Sequence, residues 1–230
     1  IPFVQSRYLG PAPHCPTRVP EACQVPGVRV PSPEHPESRF LDDGSAHGAW
    51  QDWHLGVAYH TAIGNYQLTP SMTLQVPSHN YPFFAQSAVG QNLVKLEVGA
   101  ELAHQFEFTN LYYRTALYRV FVEKTLGISV DHYKLDVELG WFINEDVSVK
   151  TFATWKRGKG ITTDDPRLAQ SEIFYHHDQI SRHEYFNVGL GMDYQINDRY
   201  TLSTTAQTLI WGNTVYNLQY AFGVQLSRAF

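Results

Sequence analysis

From residue 49 onward the chain alternates apolar and polar positions almost without a break. "WHLGVAYHTA" sets Trp53, Leu55, Val57 and Tyr59 against His54, Gly56, Ala58 and His60. "YKLDVELGWFI" sets Leu135, Val137, Leu139, Trp141 and Ile143 against Lys134, Asp136, Glu138 and Gly140. "FNVGLGMDYQI" does the same with Val188, Leu190, Met192, Tyr194 and Ile196. A period of two is that of a β-strand with one apolar face. Ten strands follow, at about 1–9, 49–62, 66–77, 91–106, 109–124, 131–144, 146–158, 182–196, 199–212 and 215–230. The strand at 109–124 alternates less cleanly, with Arg114 and Arg119 on opposite parities.

The connections separate these strands into an asymmetric pattern. Tight turns sit at "AIGN", "FEFTN", "INED" and "INDR", while 10–48, 77–90, 125–131 and 158–181 are long. Strands beyond the ~5–6 residues usual in globular proteins, with short turns on one side and long loops on the other, mark an outer-membrane barrel. The sequence therefore predicts an all-β fold, an antiparallel transmembrane β-barrel. It has ten visible strands, or twelve if an N-terminal hairpin is missing, and forms a single domain over 1–230. Its location is the bacterial outer membrane, with outer-membrane lipid against the apolar faces. Tyr112, Tyr113, Trp141, Phe142, Tyr200, Tyr216 and Phe230 lie near strand ends, as interfacial aromatic girdles do.

Composition is compatible with a membrane barrel and narrows the partners. No stretch approaches the ~20 apolar residues of a transmembrane helix. Mean hydropathy is slightly negative, at −0.31, which does not exclude a membrane barrel, since half of each of its strands faces a wet interior. Net charge is −5 with no basic run, which argues against nucleic acid as a partner. Cys15 and Cys23 stand in the proline-punctuated "PHCPTRVPEACQVPG", a setting that suits a disulfide in an oxidising compartment. Most of the 13 prolines fall in 10–48, read here as a long extracellular loop acting as a lid or docking a protein partner.

The closing stretch "VYNLQYAFGVQLSRAF", apolar at alternate positions and ending in Phe, resembles the assembly signal of Gram-negative outer-membrane proteins. "LTPSMTLQVPSHNYP" and "GLGMDYQINDRYTLSTTAQ" resemble outer-membrane channels grouped with the phenol meta-pathway and fatty-acid-transporter-like proteins. The resemblance implies a porin-like channel taking up small solutes. The alternative is a structural barrel that anchors a partner or surface assembly through its extracellular loops.

Three constellations carry candidate chemistry. Inward-pointing charges, Lys95, Glu97, Glu101, Arg119, Glu123, Lys134, Asp136, Glu138, Lys150, Lys156 and Asp193, are expected to line one lumen, either as an ion-selective pore or as a salt-bridged filling. "FYHHDQISRHEYF" brings His176, His177, Asp178 and His183 together as metal-ligand types, against the plainer reading of an exposed, solvated loop. Ser181 and His183, with Glu184 and Asp178 near, are the residue types of a barrel hydrolase, but a lone Ser-x-His is no triad, so no enzyme and no cofactor are expected. If the short turns are periplasmic, the cysteines and the histidine cluster lie together on the extracellular side.

Overall fold

The computed structural model describes residues 3–7, 46–84, 88–213 and 220–228. Twelve strands are formed: β1 (Phe3–Arg7), β2 (Ala46–Trp50), β3 (Asp52–Ala58), β4 (Thr61–Ile63), β5 (Tyr66–Pro77), β6 (Lys95–Gln105), β7 (Leu111–Val122), β8 (His132–Phe142), β9 (Val147–Gly158), β10 (Glu184–Asn197), β11 (Tyr200–Asn213) and β12 (Tyr220–Arg228). Ten of them make one antiparallel sheet, in the order β12-β11-β10-β9-β8-β7-β6-β5-β3, with β4 also on β5. Each strand from β5 onward pairs with the next in sequence, and the sheet curls into a half-barrel. Among the described residues, β3 and β12 are its two edges.

Two features depart from the predicted strand list. The first predicted strand is not a stave of the large sheet; β1 pairs with β2 in a separate two-stranded ribbon, Phe3 opposite Trp50 and Arg7 opposite Ala46. The second is broken into β2, β3 and β4 rather than running through 49–62. Part of the predicted 10–48 loop is therefore strand, at Ala46–Gly48. The cysteines, and the expected aromatics Tyr216 and Phe230, lie outside the described residues.

The tight turns have a local cause. In "INED" the Asn144 Oδ1 accepts from the amides of Asp146 (2.9 Å) and Val147 (2.8 Å). In "INDR" the Asn197 Oδ1 accepts from Arg199 (3.0 Å) and Tyr200 (3.1 Å). An Asn side chain that mimics a backbone turn closes a hairpin in few residues. Gly64 takes the left-handed φ of +59° between β4 and β5, which suits a residue without Cβ.

The faces of the sheet are inverted relative to a water-filled surround. Leu190 is 67%, Phe222 77% and Val224 77% exposed on the convex face. On the concave face the Lys150 side chain is 13%, Glu138 14% and Glu97 20% exposed. Charges are shielded while large apolar groups are bare, the reverse of the usual partition.

Glycines on the concave face admit aromatic rings from the strand opposite. Gly99 faces Tyr118, Gly140 faces Tyr112 and Gly189 faces Phe152 in register. A Cβ on Gly99 would sit 2.3 Å from the Leu117 carbonyl oxygen and 2.4 Å from the Tyr118 ring. Gly99→Ala is thus expected to destabilise the barrel by about 1–3 kcal/mol through overpacking. Gly140→Ala, where a flexible ring end is the neighbour, should cost less. Urea unfolding in detergent, followed by gel mobility, ranks the two.

Candidate lumen and its cap

Strand alternation places the even-numbered residues of β7, β8 and β9 and the odd-numbered ones of β6, β10 and β12 on the concave face. There the charges form a network of two adjoining paired groups. Arg114 contacts Glu101 (3.0 Å) and Glu138 (3.8 Å), and Lys134 contacts Glu97 (3.3 Å) and Asp136 (3.4 Å). Lys150 reaches Asp193 at 2.6 Å and Glu138 at 3.9 Å. Thr154 donates to Asp136 at 2.8 Å. Five carboxylates against three cations leave this stretch two charges negative. A cavity of about 260 Å3 lies within it, bordered by Glu101, Arg114, Asp136, Glu138, Phe152 and Thr154.

Eight of the residues expected inside thus meet in one place or beside it: Glu97, Glu101, Lys134, Asp136, Glu138, Lys150 and Asp193 in the network, and Lys156 opposite Lys134. Lys95 shares their face at the β6 terminus. Arg119 does not. It sits on the outer parity of β7, its guanidinium 4.5 Å from the Tyr133 ring centroid and 5.4 Å from that of Phe121. Glu123 lies past the end of β7, where its Oε2 accepts from the Val94 amide at 3.1 Å. Arg114, left out of the expected set, is the central cation of the network. Tyr112 and Phe142 likewise belong inside, ring centroids 4.9 Å apart, rather than in an outer girdle.

Two long connections fold together over the end of the sheet opposite the tight turns. The 159–183 excursion is not a plain loop: it holds a 3-10 turn (Pro166–Ala169), α1 (Ser171–Tyr175) and α2 (His177–Ile180). Ile161 and Ile180, 2% and 0% exposed, form one cluster with Leu93, Val130, Val120 and Val122. Val120 and Val122 belong to the concave face of β7, so the excursion packs inward onto that face. That explains the irregular "YRVFV": Val120 and Val122 are covered by the cap, while Phe121 is exposed on the other face. Gln179 Nε2 donates to the Gln91 carbonyl at 2.8 Å and Gln91 Nε2 to that of Asp178 at 3.3 Å, locking the 78–94 connection to α2. Tyr81, 1% exposed, donates to Asp52 Oδ1 at 2.5 Å and accepts from the Asn92 amide. Burial, and then Asp52, hold its hydroxyl well above the ordinary tyrosine range.

The histidine cluster is part of this packing. His176 stacks on Phe83 and places Nδ1 2.7 Å from Gln179 Oε1. His177 stacks on Phe174 with Nδ1 2.6 Å from its carbonyl. Asp178 is buried, with His177 Nε2 3.3 Å from its Oδ1. Among the described residues no three His, Cys, Asp or Glu side chains converge as a metal site would require, so the expected ligand set is not assembled. Ser181 is buried, its amide bonded to the His177 carbonyl, and no hydrogen bond joins it to His183. The aromatic partners Phe83 and Phe84 were not singled out from sequence, although "NYPFF" is a dense enough aromatic run to signal buried loop packing.

At the rim, Asp131 ties the 123–131 connection to β7. Burial alone would raise its carboxyl, but the Val122 amide, the Ser129 hydroxyl and Arg119 together hold it below the usual range. A depressed carboxyl stabilises the fold above its unfolded value of ~3.9 and loses that contribution as pH falls through the lowered folded value. Asp131→Asn is therefore expected to loosen this connection at pH 7, seen as faster proteolysis there, and to make little difference near pH 2.

The curled antiparallel sheet, shielded charges and bare apolar face define the architecture of an outer-membrane β-barrel. No family model and no curated protein sequence matches the chain. Among solved structures it is similar to an outer membrane channel from Pseudomonas putida F1, with a TM-score of 0.58 and 13% identity, over 83% of this chain and 71% of that one. At that identity the likeness concerns the fold.

Proposed function

We propose that this protein is an outer-membrane channel for small solutes, its long connections on the extracellular side. The observation that carries this reading is the polar, cavity-containing concave face set against an exposed apolar convex face. Lipid is the surround that makes such an inversion stable, and a lumen is what it encloses. The solved channel of like fold supports the same reading, as does the sequence resemblance to outer-membrane channels.

The network of paired charges would then line the passage and the cap would narrow its outer mouth. Side chains of opposite sign held in mutual contact leave a polar wall without a dense single-sign field. The inward-packed cap favours a second reading, a closed barrel that presents its loops to a partner. Single-channel recording of the full chain in planar bilayers separates the two. Discrete steps in KCl support the channel; a silent protein, shown by gel mobility to be folded, overturns it.

A further inference from the structure

On the convex parity of β6 to β10 nearly every side chain is apolar or uncharged. Among these described positions the exceptions are Arg119 on β7, Arg157 on β9 and Glu184 on β10. Register puts all of them in one row. Arg119 stands opposite Tyr133, and Tyr133 opposite Arg157. Arg157 follows the Lys156–Tyr185 pair, which brings it beside Glu184. The row crosses the sheet at the end that carries the cap. One step toward the tight turns, the convex row reads Leu117, Leu135, Trp155 and Phe186, wholly apolar and aromatic.

The arginines of this row are positioned but not saturated. Arg119 lies over the Tyr133 ring, 4.5 Å from its centroid, and donates one Nη to Asp131 Oδ2 at 3.3 Å. Stacking and one bond hold its planar fork in place. Arg157 extends outward, its side chain 71% exposed, and approaches Glu184 through Nε at 3.7 Å. That is an ion pair longer than a hydrogen bond, so the donors of Arg157 are unspent. Glu184 is also divided, since Arg182 approaches its other oxygen at 3.6 Å. Lys159 joins the group beside Asp131, whose carbonyl takes the Lys159 amide at 2.9 Å. Four cations thus meet two carboxylates here, in a chain of net charge −5. The tight turns carry the other sign, with Glu107, Glu145, Asp146 and Asp198 against Arg199.

Resting on the membrane-barrel reading for what surrounds the convex face, we infer that the row Arg119–Tyr133–Arg157 is a docking site for the phosphates of an anionic lipid headgroup. An outward arginine is disfavoured in hydrocarbon but tolerated at headgroup level, where aromatic side chains such as Tyr133 and Trp155 also settle. A guanidinium presents paired donors that match phosphate oxygens. Strands β7 and β9 lie about 10 Å apart, so the two arginines approach one headgroup from either side of Tyr133. A lipid is favoured over soluble phosphate because the row is continuous with bare apolar surface. Tyr133 is 50% and Leu117 55% exposed, which leaves a bed for acyl chains directly below the cations.

The test uses the full chain in detergent, with native mass spectrometry as the readout. The probe is lipid A, a glucosamine lipid bearing two phosphates. The parent should retain it in preference to zwitterionic phosphatidylcholine, and excess inorganic phosphate should not displace it. In Arg119→Gln/Arg157→Gln the apparent affinity should fall about tenfold or more, as charge-assisted bonds to phosphate are lost. Arg199→Gln, at the opposite rim, should leave it unchanged. Should the double variant not fold, Arg157→Gln alone carries the comparison, with a loss of about threefold. Equal retention by parent and variant, equal retention of phosphatidylcholine, or displacement by inorganic phosphate overturns the lipid site. Planar-bilayer recording reports the channel separately. A silent barrel that retains lipid A removes the channel and leaves the site; a conducting one that does not retain it does the reverse.

Discussion

Replacing residues 162–180 with a short Gly-Ser linker will raise single-channel conductance severalfold. The excursion packs Ile161 and Ile180 onto Val120 and Val122 of the concave face, so on the channel reading its removal widens the mouth. The strands themselves lose no pairing partner, since β9 and β10 keep their register from Tyr185–Lys156 to Tyr194–Val147. Ile180→Asn makes the same point with one residue: it buries an amide in an apolar cluster, loosening the cap at a cost of about 1–3 kcal/mol while leaving the barrel intact. Conductance that is unchanged by both alterations would show that the cap does not lie on the conducting path.

Leu190→Arg will largely prevent assembly into membranes, whereas Asp193→Asn, three residues along the same strand, will not. Leu190 lies at the middle of β10 with its side chain on the convex face. A cation there must enter hydrocarbon, at a cost of about 2–4 kcal/mol near the midplane. Asp193 faces inward, where losing its charge frees Lys150 from a 2.6 Å contact but leaves Glu138 within reach. The first change acts on assembly and the second on selectivity. Heat-modifiable mobility of the purified proteins and reversal potentials under a salt gradient report them separately.

Much of this architecture could be read from the pattern of side chains, because a period of two fixes both the strand and its two faces. Strands from β5 to β11 stand close to their predicted limits, and the tight turns fall where Asn144 and Asn197 close them. The pattern could not show where alternation is interrupted for a tertiary reason. Val120 and Val122 are apolar on the polar face because the cap covers them, a contact between segments some sixty residues apart in sequence. For the same reason the side of Arg119 was misread: parity depends on the register of β7, which the broken alternation obscures. The histidines of 176–183 advertised ligand chemistry, yet their neighbours Phe83, Phe84 and Phe174 come from another connection or another turn and make them packing groups. Lys95 and Lys156 were visible as inward charges; that among the described residues they form no ion pair, while Lys134 and Lys150 do, is a matter of cross-strand geometry.

A membrane barrel has a wet concave face and a convex face that lies against lipid. Nitroxide labels placed singly at Val98, Leu190 and Leu226 on one face, and at Glu101, Gly191 and Gln225 on the other, test this in reconstituted bilayers. The first three should be relaxed by oxygen, which concentrates in hydrocarbon, and the second three by a water-soluble nickel chelate. Collisions with the chelate at all six positions, or the opposite alternation, would contradict a membrane barrel.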